Sequence, residues 1–268
     1  MISGAPKLML RGAFFVKTHS FFCFISSRNC GKISLMDRKR NYQNELEKKI
    51  KKIDCDNPPS LLLHACCAPC SSYCLEYLCK YFKVTVFYYN PNITPWEEYR
   101  KRVAEEKKLI AAYNSEIIWG EREGHPIGIR EADYEPSRFY EAVRGLEKLG
   151  EGSERCEKCF ELRLEKTARA MGDGYDYFTT TLTISPLKDA EKLNRIGEKI
   201  AKKYKLKWLP SDFKKKEGFK RSTELSEKYG LYRQDYCGCL FSKAEREVQK
   251  NVSTGKTVPL NAGTKKIL

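Results

Sequence analysis

Long apolar runs are missing from this chain. No stretch approaches the roughly 20 uncharged apolar residues that a spanning helix needs, so no transmembrane helix is expected. Histidine is scarce, with only His19, His64 and His125 in 268 residues. That shortage argues against a zinc or copper enzyme built on imidazole ligands. Heptad and collagen-like repeats are absent. A secretory leader is a poor fit, because Lys17 and His19 break any clean hydrophobic region beside the aromatic-rich stretch Ser20–Ser27. Apolar residues make up 41% of the chain, which excludes wholesale disorder. The length suits one α/β domain with attached segments, or two small domains.

The net charge is +15, unevenly spread. Residues 1–56 carry +7, residues 57–240 carry +4 and residues 241–268 carry +4. The excess lies mostly in the flanks, so it fits either a polyanionic partner or a soluble basic protein. Residues 1–35 hold five basic residues and no acidic one. They read as a basic leader or a spurious N-terminal extension, with Met36 opening a sensible start. Residues 36–57 form a charged helical lead-in, residues 58–250 the catalytic domain, and residues 251–268 a flexible tail.

The middle alternates strand and helix. Ser60–Ala65 is a short apolar run after Pro58-Pro59 and reads as a buried strand. Cys70–Phe82 has helical spacing. Lys83–Tyr89 is β-branched and aromatic, a strong strand signal. Trp96–Asn114 predicts an amphipathic helix, Glu116–Trp119 a third strand, and residues 120–135 a loop. Helices follow over Pro136–Leu149 and Cys156–Met171, then a strand over Tyr175–Thr181 and a helix over Pro186–Tyr204. Leu206–Leu209 is a candidate fifth strand, and Thr223–Tyr229 and Phe241–Lys250 are further helices. Such alternation predicts an α/β fold: a parallel sheet with helices on both faces and sites beyond the carboxyl ends of the strands. The turn Cys66-Cys67-Ala68-Pro69-Cys70 falls at that end of the first strand.

Cysteine is abundant: there are 12. Cys23, Cys30 and Cys55 are isolated in the flanks, and Cys74 and Cys79 read as small apolar residues of a helix. Seven remain in three clusters: Cys66, Cys67 and Cys70; Cys156 and Cys159; Cys237 and Cys239. Without a signal peptide a disulfide scaffold is disfavoured, and a reducing, cytoplasmic setting is expected. The clusters fit an iron–sulfur centre, a structural zinc site or inert packing, and spacing leaves all three open. His64, in an apolar strand, reads as a satisfied core residue. Arg100-Lys101-Arg102, Lys214-Lys215-Lys216 and Lys220-Arg221 are candidate phosphate contacts or simply a solvated face. Tyr88-Tyr89 and Tyr232-Arg233 are candidates for stacking an unpaired base.

Six strings then carry a resemblance. They are His64-Ala-Cys-Cys-Ala-Pro-Cys70, Tyr89-Asn-Pro-Asn-Ile93, Trp96-Glu-Glu-Tyr-Arg100, Arg155-Cys-Glu-Lys-Cys159 with Arg163-Leu-Glu-Lys-Thr167, Thr179-Thr-Thr-Leu-Thr-Ile-Ser-Pro186, and Tyr232-Arg-Gln-Asp-Tyr-Cys-Gly-Cys239. In this order, over roughly residues 58–243, they resemble the cobalamin-independent epoxyqueuosine reductases of the QueH type. The resemblance implies a fold similar to the HUP/Rossmann-like nucleotide-binding superfamily, with a Cys-rich metal site. It implies reduction of an epoxide on a modified base at the tRNA wobble position, in the anticodon loop, using a [4Fe-4S] cluster and an electron donor that the sequence does not identify. Carried over, Cys66, Cys67, Cys156 and Cys159 are the implied cluster ligands. Cys237 and Cys239 are the implied second functional pair, either a redox-active disulfide or metal ligands. Some relatives carry aspartate where this chain has Cys70, and an additional iron is associated with that position, so Cys70 is a candidate ligand.

Epoxide removal also needs a proton donor, for which Asp133, Asp189, Asp212 and Asp235 are candidates. Two rival readings remain. An ATP-dependent tRNA-modifying enzyme of similar fold needs a glycine-rich phosphate loop after the first strand, where this chain has Cys66-Cys67-Ala68-Pro69-Cys70. A noncatalytic zinc-stabilised RNA-binding module would hold zinc rather than iron.

Overall fold

A computed structural model describes residues 40–54 and 56–253. Cys23, Cys30, Cys55, the start at Met36 and most of the tail lie outside the described residues.

The described chain opens with α1 (Tyr42–Ile50), capped by the Asn41 side chain, which accepts from Asn44 N at 3.0 Å. Four strands then form one parallel sheet: β1 (Ser60–Ala65), β2 (Lys83–Tyr88), β3 (Gly128–Glu131) and β4 (Tyr177–Thr180), in the order β3-β2-β1-β4. Ser60 pairs with Lys83 and Ala65 with Tyr88, so β1 and β2 end level. Side chains alternate across the sheet because the strand period is two. Leu61, Leu63, Val84 and Val86 face α2 (Ala68–Leu78) and α3 (Trp96–Ile118). Leu62, Phe87 and Phe178 face α5 (Glu154–Met171) and α6 (Ala190–Tyr204). Helices therefore cover both faces, as a parallel sheet requires.

Four expectations are corrected. Glu116–Trp119 is not a strand. The buried face of α3 runs on through Ile110, Tyr113 and Ile117, so the helix continues to Ile118 and Trp119 closes it. The third strand lies inside the expected loop, at Gly128–Glu131. It is an edge strand with one inward apolar residue, Ile129, and hydrophobic patterning cannot reveal it. The helix expected over Pro136–Leu149 is α4 (Pro136–Ala142), which stops at Ala142, and Gly145 turns the chain at φ 82°. Leu206–Leu209 contributes a single parallel bridge, Phe178 to Trp208, rather than a strand. Gly197 of α6 lies against that Trp208, where a Cβ would come within 2.4 Å of the indole. The chain ends its described course with α7 (Gly218–Lys228) and α8 (Leu240–Ser253).

The order of strands places the site. The chain moves from β1 outward to β2 and β3, then crosses back to β4 on the other side of β1. The reversal opens a crevice beyond the carboxyl ends of β1 and β4. Cys66 and Cys67 follow Ala65 directly at that crevice.

Candidate active site

Seven thiols reach the crevice on three helix N-termini. Cys67 is the N-cap of α2, with Pro69 in its first turn, and its carbonyl accepts from Ser71 N at 3.0 Å. Cys156 and Cys159 stand one turn apart near the start of α5, on the same face. Cys239 precedes α8; its sulfur accepts from Ser242 N at 3.4 Å and its carbonyl from Lys243 N at 3.1 Å. Helix N-termini carry partial positive charge and favour thiolates. Gly238, between the last two cysteines, has φ 115°, and a Cβ there would lie 2.7 Å from Ile93. Only glycine lets this turn press against the loop after β2.

The sulfurs form two groups. Those of Cys66, Cys67 and Cys70 all lie within 4.8 Å of one another, the one such metal-capable trio among the described residues. Cys156, Cys159, Cys237 and Cys239 line a separate cavity of about 140 Å³, and the sulfurs of Cys237 and Cys239 are 3.5 Å apart. A larger cavity of about 500 Å³ opens over Cys66, Cys67 and Cys70 and is also lined by Cys237. Cys237 thus stands on the wall between the two spaces. Cys74 and Cys79 are fully buried in the apolar core between sheet and helices.

Positive charge surrounds the thiols. Arg163, one turn beyond Cys159, is buried: its Nη1 lies 3.9 Å from Cys159 Sγ and its Nη2 donates to Asn90 Oδ1 at 2.5 Å. Its Nε donates to His64 Nε2 at 3.3 Å, while His64 Nδ1 meets Thr180 Oγ1 at 2.8 Å. Burial, with Arg163 beside it, drives the His64 pKa down to about 3, so the ring is neutral and serves as a fixed strut. Arg102 is buried too. Its Nε bonds Glu98 at 2.7 Å, its Nη1 donates to Cys237 O at 3.2 Å, and its Nη2 has no partner. Lys188 lines both cavities.

These neighbours divide the thiols by acidity. Hydrogen bonds from Cys67 and Cys70 hold the Cys66 thiol well below the usual range, and Arg163 and Lys188 add to the effect. Cys67, beside that developing thiolate, is pushed up to about 12. In the other group the Cys239 thiol stabilises Cys237 as thiolate, and Lys188 assists. Burial raises Cys156 and lifts Cys159 to about 11.

The remaining sequence candidates divide. Asp133 is exposed and lines neither cavity. Asp212 pairs with Lys214 at 2.6 Å. Asp189 caps α6 and lines the smaller cavity; Asp235 lines the larger one and pairs with Lys250. Tyr88 and Tyr89 are buried, and Tyr232 is turned to Glu98 with Lys101 over its ring, so none of them is a free stacking surface at the larger cavity. Sequence reasoning gave no role to Arg163, Lys188 or Glu151, although Lys188 and Glu151 line both cavities. A basic residue one helical turn past a Cys-x-x-Cys pair was the available signal for Arg163. Nothing separates Lys188 and Glu151 from surface residues in the sequence.

Known proteins resemble this chain in sequence over most of its length. The sequence profile of the family described as "Epoxyqueuosine reductase QueH" matches residues 61–245. The chain is 42% identical over 208 residues to the Epoxyqueuosine reductase QueH of Streptococcus pyogenes serotype M1, covering 77% of this chain and 79% of that one. It is 39% identical over 218 residues to the protein of the same name from Staphylococcus epidermidis, covering 80% and 89%. With that of Thermotoga maritima the identity is 37% over 191 residues, covering 70% and 92%.

Proposed function

This chain belongs to the epoxyqueuosine reductase QueH family, and from that premise we propose that it reduces the epoxide of epoxyqueuosine at the wobble position of tRNA, in the cytoplasm, through a thiolate-held iron–sulfur centre. It is an oxidoreductase, and none of the helices among its described residues is long and apolar enough to cross a membrane. The observation that carries the reading is the gathering of seven thiols, from three helix N-termini, around two neighbouring cavities, the larger of about 500 Å³ lined by Cys66, Cys67, Cys70 and Cys237 and the smaller by Cys156, Cys159, Cys237 and Cys239. A cavity of that size suits one modified base.

The donor set fits iron. Seven soft sulfur ligands are free of disulfides, and the nearby histidine is committed to hydrogen bonds. We assign Cys66, Cys67, Cys156 and Cys159 to a [4Fe-4S] cluster, Cys70 to an additional iron, and Cys237 with Cys239 to a redox pair or further ligands. Such a centre supplies electrons singly, whereas conversion of an epoxide to an alkene and water takes two electrons and two protons. The protein's own groups supply the setting. Arg163, Arg102 and Lys188 offset the thiolate charge. Lys188 faces the larger cavity as a proton-bearing group, and burial raises the pKa of Glu151 beside it, whereas Lys250 holds Asp235 as a carboxylate. An unidentified donor delivers the electrons.

The test is anaerobic incubation of iron-loaded protein with epoxyqueuosine-containing tRNA and a strong reductant, followed by nucleoside mass spectrometry. Conversion to queuosine is expected. Intact epoxyqueuosine after full reduction of the protein overturns the reading, and stoichiometric zinc without iron after anaerobic reconstitution overturns the cluster.

A further inference from the structure

Phe219 is an anomaly at the mouth of the larger cavity. It is 39% exposed, yet it lines the same space as Cys66, Cys67 and Cys70. Its position is built rather than incidental. The helix α7 packs on α2, which starts at the thiol turn. Gly218 makes that approach possible, because a Cβ there would lie 1.9 Å from Phe213 O and 2.5 Å from the Tyr73 ring. Before it, Lys216 and Glu217 both take the left-handed region, at φ 51° and 61°, which is unfavourable for residues with a Cβ. Two such residues and a compressed glycine turn an apolar ring to solvent at the edge of a charged site.

Cations outnumber the carboxylates around Phe219, where Glu217 is exposed and Glu151 and Asp235 line the cavity. Lys215 and Lys220 are exposed and have no carboxylate partner among the described residues. Arg233 and Arg246 line the cavity mouth with it. The cavity, at about 500 Å³, holds about one base with its substituent, so the nucleotides on either side must cross this mouth. Single-stranded RNA is held by a base stacked on an aromatic ring while cations follow the phosphates.

We infer that Phe219 is a stacking platform for the unpaired nucleotide adjoining the modified base, with Lys220 and Arg233 on the flanking phosphates. The inference rests on the proposed function and identifies how that site grips its RNA loop. A peptide or protein partner fits less well, since the surrounding cations lack an apolar groove.

The test uses the iron-loaded full chain and a fluorescently labelled anticodon stem-loop RNA, with affinity read by polarisation under anaerobic conditions. Phe219→Ala is expected to weaken binding about tenfold, within the range for loss of one base–aromatic stack. Phe219→Trp should keep the affinity, and Lys220→Gln should lower the slope of log affinity against log salt by about one. Trp119→Ala removes an even more exposed ring, 77% exposed and not part of the cavity lining, and should leave binding unchanged. Iron content and thermal midpoint should match wild type in all of these. Equal affinity of Phe219→Ala and wild type overturns the platform, even with full turnover. Phe219-dependent binding without any epoxide reduction retains the platform and overturns the proposed reaction. Wild-type protein that binds no stem-loop overturns both.

Discussion

Arg163 Nη2 and Asn90 Oδ1 meet at 2.5 Å, and Asn90 Nδ2 in turn donates to Ala65 O at 2.8 Å. One buried guanidinium therefore ties α5, which carries Cys156 and Cys159, to the end of β1, which launches Cys66 and Cys67. Two thiol groups from distant stretches of chain are held in register by this relay through Asn90, two residues past the end of β2.

Arg163→Met should therefore lose most of the bound iron and lower the thermal midpoint, because it leaves Asn90 and His64 without their buried donor. Arg163→Lys should rescue little, since an ammonium cannot reach three partners in the plane of a guanidinium. Iron and sulfide analysis with visible absorbance checks this. Full iron content in both variants would remove Arg163 from the support of the site.

The cysteines should separate by role. Cys156→Ala or Cys67→Ala is expected to lose most of the iron–sulfur absorbance, each removing one of four ligands. Cys74→Ala and Cys79→Ala should retain it, since both side chains lie in the core. Cys237→Ala and Cys239→Ala should abolish turnover. A redox pair leaves the cluster spectrum intact in these two, whereas metal ligation changes the iron count. An unchanged cluster in Cys156→Ala would overturn the ligand assignment.

Glu106 on α3 is fully buried, and neither carboxylate oxygen has a hydrogen-bond partner. Burial raises its pKa to about 8, from an ordinary value of 4.5. The folded protein therefore binds this proton more tightly than the unfolded chain. The stability it represents is present below about pH 4.5 and is lost as pH rises through about 8. Thermal midpoints measured from pH 5 to pH 9, a window set to span that rise, should fall less steeply for Glu106→Gln than for wild type. Parallel curves would refute a protonated buried Glu106.

Gly197→Ala should destabilise by about 1–3 kcal/mol, the usual cost of overpacking. The added methyl meets the Trp208 indole, which is pinned by its Nε1 bond to Asn194 at 3.0 Å and cannot swing away freely. Denaturant titration reads the effect. Wild-type stability would show that α6 can shift without loss.

The sequence made the core strands and the thiol groups legible for physical reasons. Leu61, Leu62 and Leu63 are buried on both faces of β1, so the run is continuously apolar, and Val84 to Tyr88 carry β-branched and aromatic side chains. β3 was hidden because an edge strand needs backbone pairing more than apolar side chains. The end of α3 misled because Ile117 and Ile118 read as strand-forming residues, yet Ile117 continues the helix face set by Tyr113. In the site, cysteine spacing marked the three segments. It could not show that Cys237 stands between two cavities, or that Arg102 turns inward while its neighbours Arg100 and Lys101 remain at the surface.

The separation of the thiols along the chain sets an order of events in synthesis. The sulfurs are delivered in three instalments, at residues 66–70, 156–159 and 237–239, and each instalment rides on a different helix. A nascent chain that has emerged only as far as β4 lacks Cys237 and Cys239, so the wall dividing the two cavities does not yet exist. Metal loading into the finished arrangement must follow nearly complete translation. By the same geometry, a single backbone cut between Cys70 and Cys156 leaves two fragments, neither of which carries all seven sulfurs.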